Sequence, residues 1–379
     1  MYITDEHEAI RKTIRDFAEK EIKPVAQKLD ETEEFSVELT QKMGEMGLFG
    51  IVVPEEYGGQ GLDYLTYVIC VEELARVDSS QAATVAAHNS LGIGPILIHG
   101  SEEQKQKYLP QLCTGKALWG FGLTEPEAGS DSRGTKTKAE LVDGQWVING
   151  SKVFITNSAT PITLGVTVQA ITGETDGKKE LSSILVEADT EGFEARKMRN
   201  KMMWRASNTG ELFFDNCTVP GENILGERGH GAKIMLSTLD KGRLSIAAMG
   251  LGLAQGAYEM ALKYAQERKQ FGKPISKFQV NSFKLADMAL KIELARNLLY
   301  KTCWLKDNGK PFRKEAAMAK LYCSEIAREV ADEAVQLHGG YGLMKEYDVE
   351  RFYRDQRILQ IGEGTSEILR IVIARAIGC

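Results

Sequence analysis

Near the end of the chain, IGEGTSEILR at 361–370 places a carboxylate between two glycines directly ahead of a helical run. Flanking glycines let backbone and ligand approach closely, and a desolvated glutamate can act as a general base, so Glu363 is the first candidate for proton chemistry. Taken alone it also reads as a first-turn acid favoured by the helix dipole, and Glu367, one turn on, reads as a solvated helix residue. LTEPEAGSD at 123–131 leads from a strand-like run into a Gly-Ser turn, exposing N–H groups and hydroxyls that could clasp the edge of a polar ring or satisfy the turn itself. KVFITN at 152–157 ends a strand pattern, which puts Phe154 and Thr156 on one face and Ile155 on the other. An aromatic beside a hydroxyl suits a planar heterocycle, and equally a half-buried strand. ERKQFGKPI at 267–275 and QLHGGYG at 336–342 break helical stretches with charge and bare backbone. Arg268 with open amides at Gly339 and Gly340 could hold a pyrophosphate; the alternative is a pair of helix-ending loops.

These residues need elements to position them. From Thr4 to about Gln111 the pattern is helical, broken at Pro54 and the GGQG loop at 58–61. Between about 117 and 220 short runs rich in Thr, Val, Ile and Phe alternate, and Asp143-Gly144 signals a hairpin. After Gly231 long helices return: Leu285, Met288, Ala289, Ile292, Ala295 and Leu299 repeat every three or four residues, as one stripe of a helix bundle. The expected fold is α+β multidomain, divided at 1–116, 117–228 and 229–379. Helix, sheet, helix is a segregated order, unlike the βαβ alternation of a Rossmann fold. GLGLAQG at 250–256 has no strand before it and is expected to serve close helix packing, and no GxxxxGK phosphate loop occurs.

With 379 residues, 43% apolar and 26% charged, the chain can build a large core in two or three units. A net charge of −6 speaks against a nucleic-acid partner. No stretch approaches the roughly 20 apolar residues that span a bilayer, so no membrane insertion is expected and the location is read as cytoplasmic. Six cysteines and five histidines lie scattered, without CxxC or HExxH, so neither a disulfide framework nor a metal site is expected.

Taken in order, LTEPEAGSD, FITN, RASNT, ERKQFGKPI, QLHGGYG, YRDQRI and EGTSEI resemble the acyl-CoA dehydrogenase family, especially its short- and medium-chain, butyryl-CoA dehydrogenase-like branch, along essentially the whole chain. The resemblance implies an N-terminal α-helical domain, a middle β-barrel, a C-terminal four-helix bundle and a homotetramer, a dimer of dimers, with one FAD per subunit. It implies that Leu123, Thr124, Phe154, Thr156 and Thr365 hold the flavin ring and that Ser130 contacts FAD or CoA. Arg268, Gln270, Phe271, Gln336, Gly339 and Gly340 would grip the adenine and pyrophosphate across a subunit interface. Asp240, Arg243, Gly362 and Gly364 would meet the substrate. Glu363 would take the α-proton of an acyl-CoA while the β-hydrogen leaves as hydride to flavin N5, electrons passing on to an electron-transferring flavoprotein. A minority of the family carries the base at the position matching Gly242, which has no side chain here. Gly362, where relatives usually carry Tyr, and the bulky Met202-Met203-Trp204 depart from the pattern, and bear on substrate shape. Gly362 points to a short acyl group branched or cyclic near the α- and β-carbons. Use as an enoyl-CoA reductase, preference for butyryl-CoA, and a catalytically silent CoA- or flavin-binding scaffold are the competing expectations.

Overall fold

The computed structural model describes residues 2–379. Seven helices come first: α1 (Asp5–Phe17), α2 (Lys23–Thr32), α3 (Val37–Glu45), α4 (Tyr64–Ala75), α5 (Ser79–Ala87), α6 (Gly94–His99) and α7 (Glu102–Leu112). Short side chains start them. The Asp63 carboxylate accepts from Thr66 N at 2.7 Å, and Asp78 accepts from Gln81 N at 2.9 Å. Every residue of α4 is buried, and its two acids, Glu72 and Glu73, are met there by Arg11, Arg76 and Arg296. Turns of π-helix at Ala18–Ile22 and His88–Ile93 join α1 to α2 and α5 to α6.

The middle of the chain forms β1 (Leu118–Gly122), β2 (Lys138–Val142), β3 (Gln145–Thr156), β4 (Thr163–Thr175), β5 (Lys178–Glu187), β6 (Phe193–Lys197), β7 (Thr209–Pro220) and β8 (Ile224–Leu225). Their order is β6-β7-β3-β2-β4-β5-β8, with β1 parallel to β4. The Asp143-Gly144 hairpin is present: both residues have positive φ, 49° and 80°, and Val142 pairs with Gln145. Trp146, Ile148, Val168, Ile184 and Phe214 build a core that belongs to the sheet alone.

The last unit opens with α8 (Gly231–Glu267), followed by the hairpin β9 (Lys269–Gln270) and β10 (Lys273–Pro274), then α9 (Gln279–Asp307), α10 (Arg313–His338), α11 (Val349–Asp355) and α12 (Ser366–Ala376). Leu285, Met288, Ile292, Ala295 and Leu299 form the buried stripe of α9, with Ala289 at its partly exposed margin. The glycines at 250–256 lie inside α8 and face backbone. A β-carbon at Gly250 would press on Cys323 O, and one at Gly252 or Gly256 would collide with Glu72 O or Arg76 O, so α8 rides directly on α4 and α10. This packing merges N- and C-terminal helices into one core. Two buried carboxylates tie the units together: Asp78 pairs with Arg351, and Asp355 accepts from Trp204 N at 2.8 Å. No described helix is long and apolar enough to cross a membrane.

Candidate active site

The turn before α12 presents Glu363. Thr365 caps that helix, its hydroxyl accepting from Ile368 N at 3.3 Å. Glu363 therefore precedes the cap, and the first-turn position belongs to exposed Glu367. Glu363 has φ 53° and Gly364 φ 99°, consecutive left-handed residues of which only one is glycine. A glutamate held there is strained backbone of the kind found at functional sites. Its Oε2 is sealed from solvent and has no hydrogen-bond partner. A β-carbon at Gly242 would collide with that oxygen, and the same spot borders Leu91 of the π-helical turn. Burial raises the Glu363 carboxyl to about 7, opposed by the cations of Lys320 and Arg243. A carboxyl that titrates near neutrality in a water-excluded place can exchange a proton with a carbon acid.

A second group gathers on β3. Val153 N donates to Thr124 O at 3.0 Å, and Lys152 Nζ donates to Leu123 O at 3.3 Å and Glu125 Oε1 at 2.7 Å. Glu125 also accepts from Lys136 N and Thr137 N at 2.7 and 3.1 Å. The 123–125 segment is thereby strapped beside Phe154 and Thr156. Plain strand alternation is not what orients them. The ladder to β7 slips between Lys152 and Ile155, Lys152 and Val153 are both buried, and Phe154 takes φ 62°. The slip leaves Phe154 65% exposed, Ile155 buried and Thr156 half-buried. A large aromatic held outward by strained backbone is a platform for a flat ligand. Ser130 lies exposed in the turn beyond, and Asn157, next to Thr156, has a buried Oδ1 without a partner. Sequence reading missed Lys152 and Glu125, since a lysine in a strand pattern gives no sign of its burial.

The third group closes a cleft of about 650 Å³ at the far end of α8 and α10, lined by Tyr264, Arg268, Gln270, Gln336, Gly339 and Gly340. Arg268 caps α8 and lies 5.7 Å from the Tyr341 ring centre. Gly339 has φ 60°, and a β-carbon there or at Gly340 would meet nothing within 4 Å, so the backbone stands open. Phe271 (φ 50°) and Gly272 (φ 79°) turn the β9–β10 hairpin, leaving Phe271 93% exposed. No described hydrogen bond joins this cleft to the Phe154 platform. Arg243 acts on Glu363 instead: this buried side chain donates to Asp240 Oδ1 at 2.5 Å, and Asp240 also pairs with Arg313 at 3.1 Å.

A carboxyl with one sealed oxygen, an aromatic platform beside hydroxyls, and an open glycine backbone near an arginine fit a base working against a planar redox cofactor that carries a diphosphate. The class defined by this fold and site is a three-part flavoenzyme. Family profiles for the acyl-CoA dehydrogenase N-terminal, middle and C-terminal domains match residues 4–116, 120–217 and 229–378. A probable acyl-CoA dehydrogenase of Bacillus subtilis, YngJ, is 50% identical over 98% of each chain. The CarC subunit of the caffeyl-CoA reductase–Etf complex of Acetobacterium woodii is 44% identical over 99% of this chain and 98% of its own. Butyryl-CoA dehydrogenase from Megasphaera elsdenii superposes with a TM-score of 0.96 at 43% identity, covering 99% of this chain and 98% of that one. The chain belongs to the acyl-CoA dehydrogenase family. It is an oxidoreductase acting on acyl-CoA, with FAD as its cofactor.

Proposed function

We propose that the chain desaturates a short acyl-CoA to the 2-enoyl-CoA, with Glu363 as the base that takes the α-proton. The carrying observation is Glu363 Oε2, sealed and unpartnered, on a carboxyl that burial lifts to about 7. In the carboxylate form it accepts the α-proton. Lys320 and Arg243 offset the charge beforehand, and Gly242 and Leu91 border its Oε2. Bound FAD supplies the two-electron acceptor for the β-hydrogen. Leu123, Thr124, Ser130, Phe154, Thr156 and Thr365 would hold its ring, and Asp240, Arg243, Ser130, Gly362 and Gly364 would meet the thioester and the CoA arm.

The separate cleft around Arg268, Gln270, Phe271, Gln336, Gly339 and Gly340 supports a homotetramer in which one copy grips the diphosphate end of another copy's cofactor. An exposed apolar row on α9, Val280, Phe283, Leu290 and Leu294, supports the same reading. The proposed units divide after 116 and 228. The name of the Acetobacterium relative supports an electron-transferring flavoprotein as redox partner, and enoyl-CoA reduction as a second reading of direction.

Glu363→Gln keeps shape but cannot accept the proton, so turnover of butyryl-CoA is expected to fall by at least about a hundredfold while FAD is retained. Flavin bleaching on adding the thioester checks this. Activity within about tenfold of wild type removes Glu363 from the role.

A further inference from the structure

The helix α10 runs behind the turn that carries Glu363 and holds it at several points. Lys320, with no solvent exposure, donates from Nζ to the Gly364 carbonyl at 2.7 Å. One turn on, Ser324 Oγ donates to Leu359 O at 2.9 Å. The neighbouring Glu325 carboxylate accepts from Gln360 Nε2 at 3.0 Å and from Ser366 Oγ at 2.8 Å. The segment so clamped, 359–366, contains the two left-handed residues, a conformation that persists only when its surroundings over-determine it.

Among these partners Lys320 is the unusual choice. Capping one carbonyl needs no charge, and a buried ammonium is costly to desolvate. A nearby buried carboxylate gives the cation a reason to be there. The groups around Glu363 come from three elements: Lys320 on α10, Arg243 on α8, and Tyr64 and Tyr67 on α4, both phenols pushed up by burial and so neutral. Arg243 is already engaged by Asp240. Glu325 and Glu367 also act on Lys320, each favouring its ammonium.

We infer that Lys320 is a positioning residue for the base: anchored on the Gly364 carbonyl, its ammonium fixes the turn that aims Glu363 and supplies the positive charge that lets a carboxylate form in the sealed site. This rests on the reading of Glu363 as the base. The sign follows from charge. The Lys320 cation favours the carboxylate, so losing it moves the titration of Glu363, and the acid limb of kcat/KM, to higher pH. Burial brings the Lys320 ammonium itself down to about 8, so the effect is read below that pH.

The experiment compares the wild-type holoenzyme with Lys320→Met, Lys320→Arg and Glu363→Gln on butyryl-CoA between about pH 5.5 and 9. Lys320→Met is expected to shift the acid limb up by about one pH unit or more and to lower kcat at neutral pH by about tenfold, with KM changed less than about threefold. Lys320→Arg keeps the charge and should keep the limb near wild type. Hydrogen exchange at 361–366 should quicken in Lys320→Met while the rest of the chain is unchanged. A wild-type limb and kcat in Lys320→Met overturn the inference. If that variant yields no folded flavoprotein, Lys320→Gln, which retains a donor for Gly364 O without charge, is read in the same way. An active Glu363→Gln would instead show that the base itself is misassigned, whatever Lys320 does.

Discussion

Gly362 adjoins the base in backbone that does not require glycine: the left-handed residues are Glu363 and Gly364, and a β-carbon at Gly362 would meet only Ile358 atoms at 3.6–3.7 Å, an ordinary contact. The turn therefore gives no reason for the missing side chain, which leaves the proposed role in pocket volume open to test. On that ground a branched or alicyclic thioester, such as a cyclohexanecarbonyl-CoA, is expected to outperform butyryl-CoA. Gly362→Tyr should cut kcat/KM for the cyclic substrate by roughly ten- to a hundredfold more than for butyryl-CoA, as lost volume does. Steady-state kinetics on both substrates checks it, and equal losses count against the bulky-substrate reading. At this scale the sequence was legible where a residue stands out against its neighbours, as Glu363 does between glycines. Lys320 and Lys152 were not, because a lysine in a helix or strand pattern reads as solvated until a tertiary partner, Gly364 O or Glu125, is seen beside it.

Among the elements, α8 depends most on what it lacks. Its 37 residues run from Gly231 against Ser182, past Glu363 at Gly242, to Arg268, and the row of glycines lets it lie against the carbonyls of Glu72 and Arg76. Glycine costs helix propensity, so close approach must outweigh that loss. Gly252→Ala would gain propensity yet drive a methyl group into Glu72 O, and should destabilise the fold by about 1–3 kcal/mol, seen as a lower melting temperature. A neutral or higher melting temperature would mean α4 can move aside. Absence of a preceding strand and a sustained helical period made the role of these glycines readable. The slip in β3 was not readable, since nothing in KVFITN marks Phe154 for positive φ.

For the molecule as a whole, the order of helices, sheet and helices was plain from changes of periodicity, but the links between units were not. Asp355 to Trp204 N and Asp78 to Arg351 join residues about 150 and 270 apart in sequence, in patterns that local reading assigns to surface charge. The cleft at Arg268 belongs to this scale too, because it stands apart from the Phe154 platform. Arg268→Ala is expected to lower flavin content after dialysis by several-fold and to shift the elution volume toward smaller species, since a shared cofactor stabilises the assembly by mass action. Unchanged flavin content together with unchanged elution would rule out a grip across subunits.

The contact between Gly242 and Glu363 Oε2 also constrains inheritance. A side chain at 242 would start within reach of that oxygen, so an acid there would meet the Glu363 carboxylate unless the latter swung aside. If Glu363 is the base as proposed, moving it to 242 by single substitutions passes either through a chain with two carboxylates crowded together or through one with none. Such a move is easiest in a duplicated copy free to be silent for a time, and the bare Gly242 of this chain leaves the space to the acid at 363.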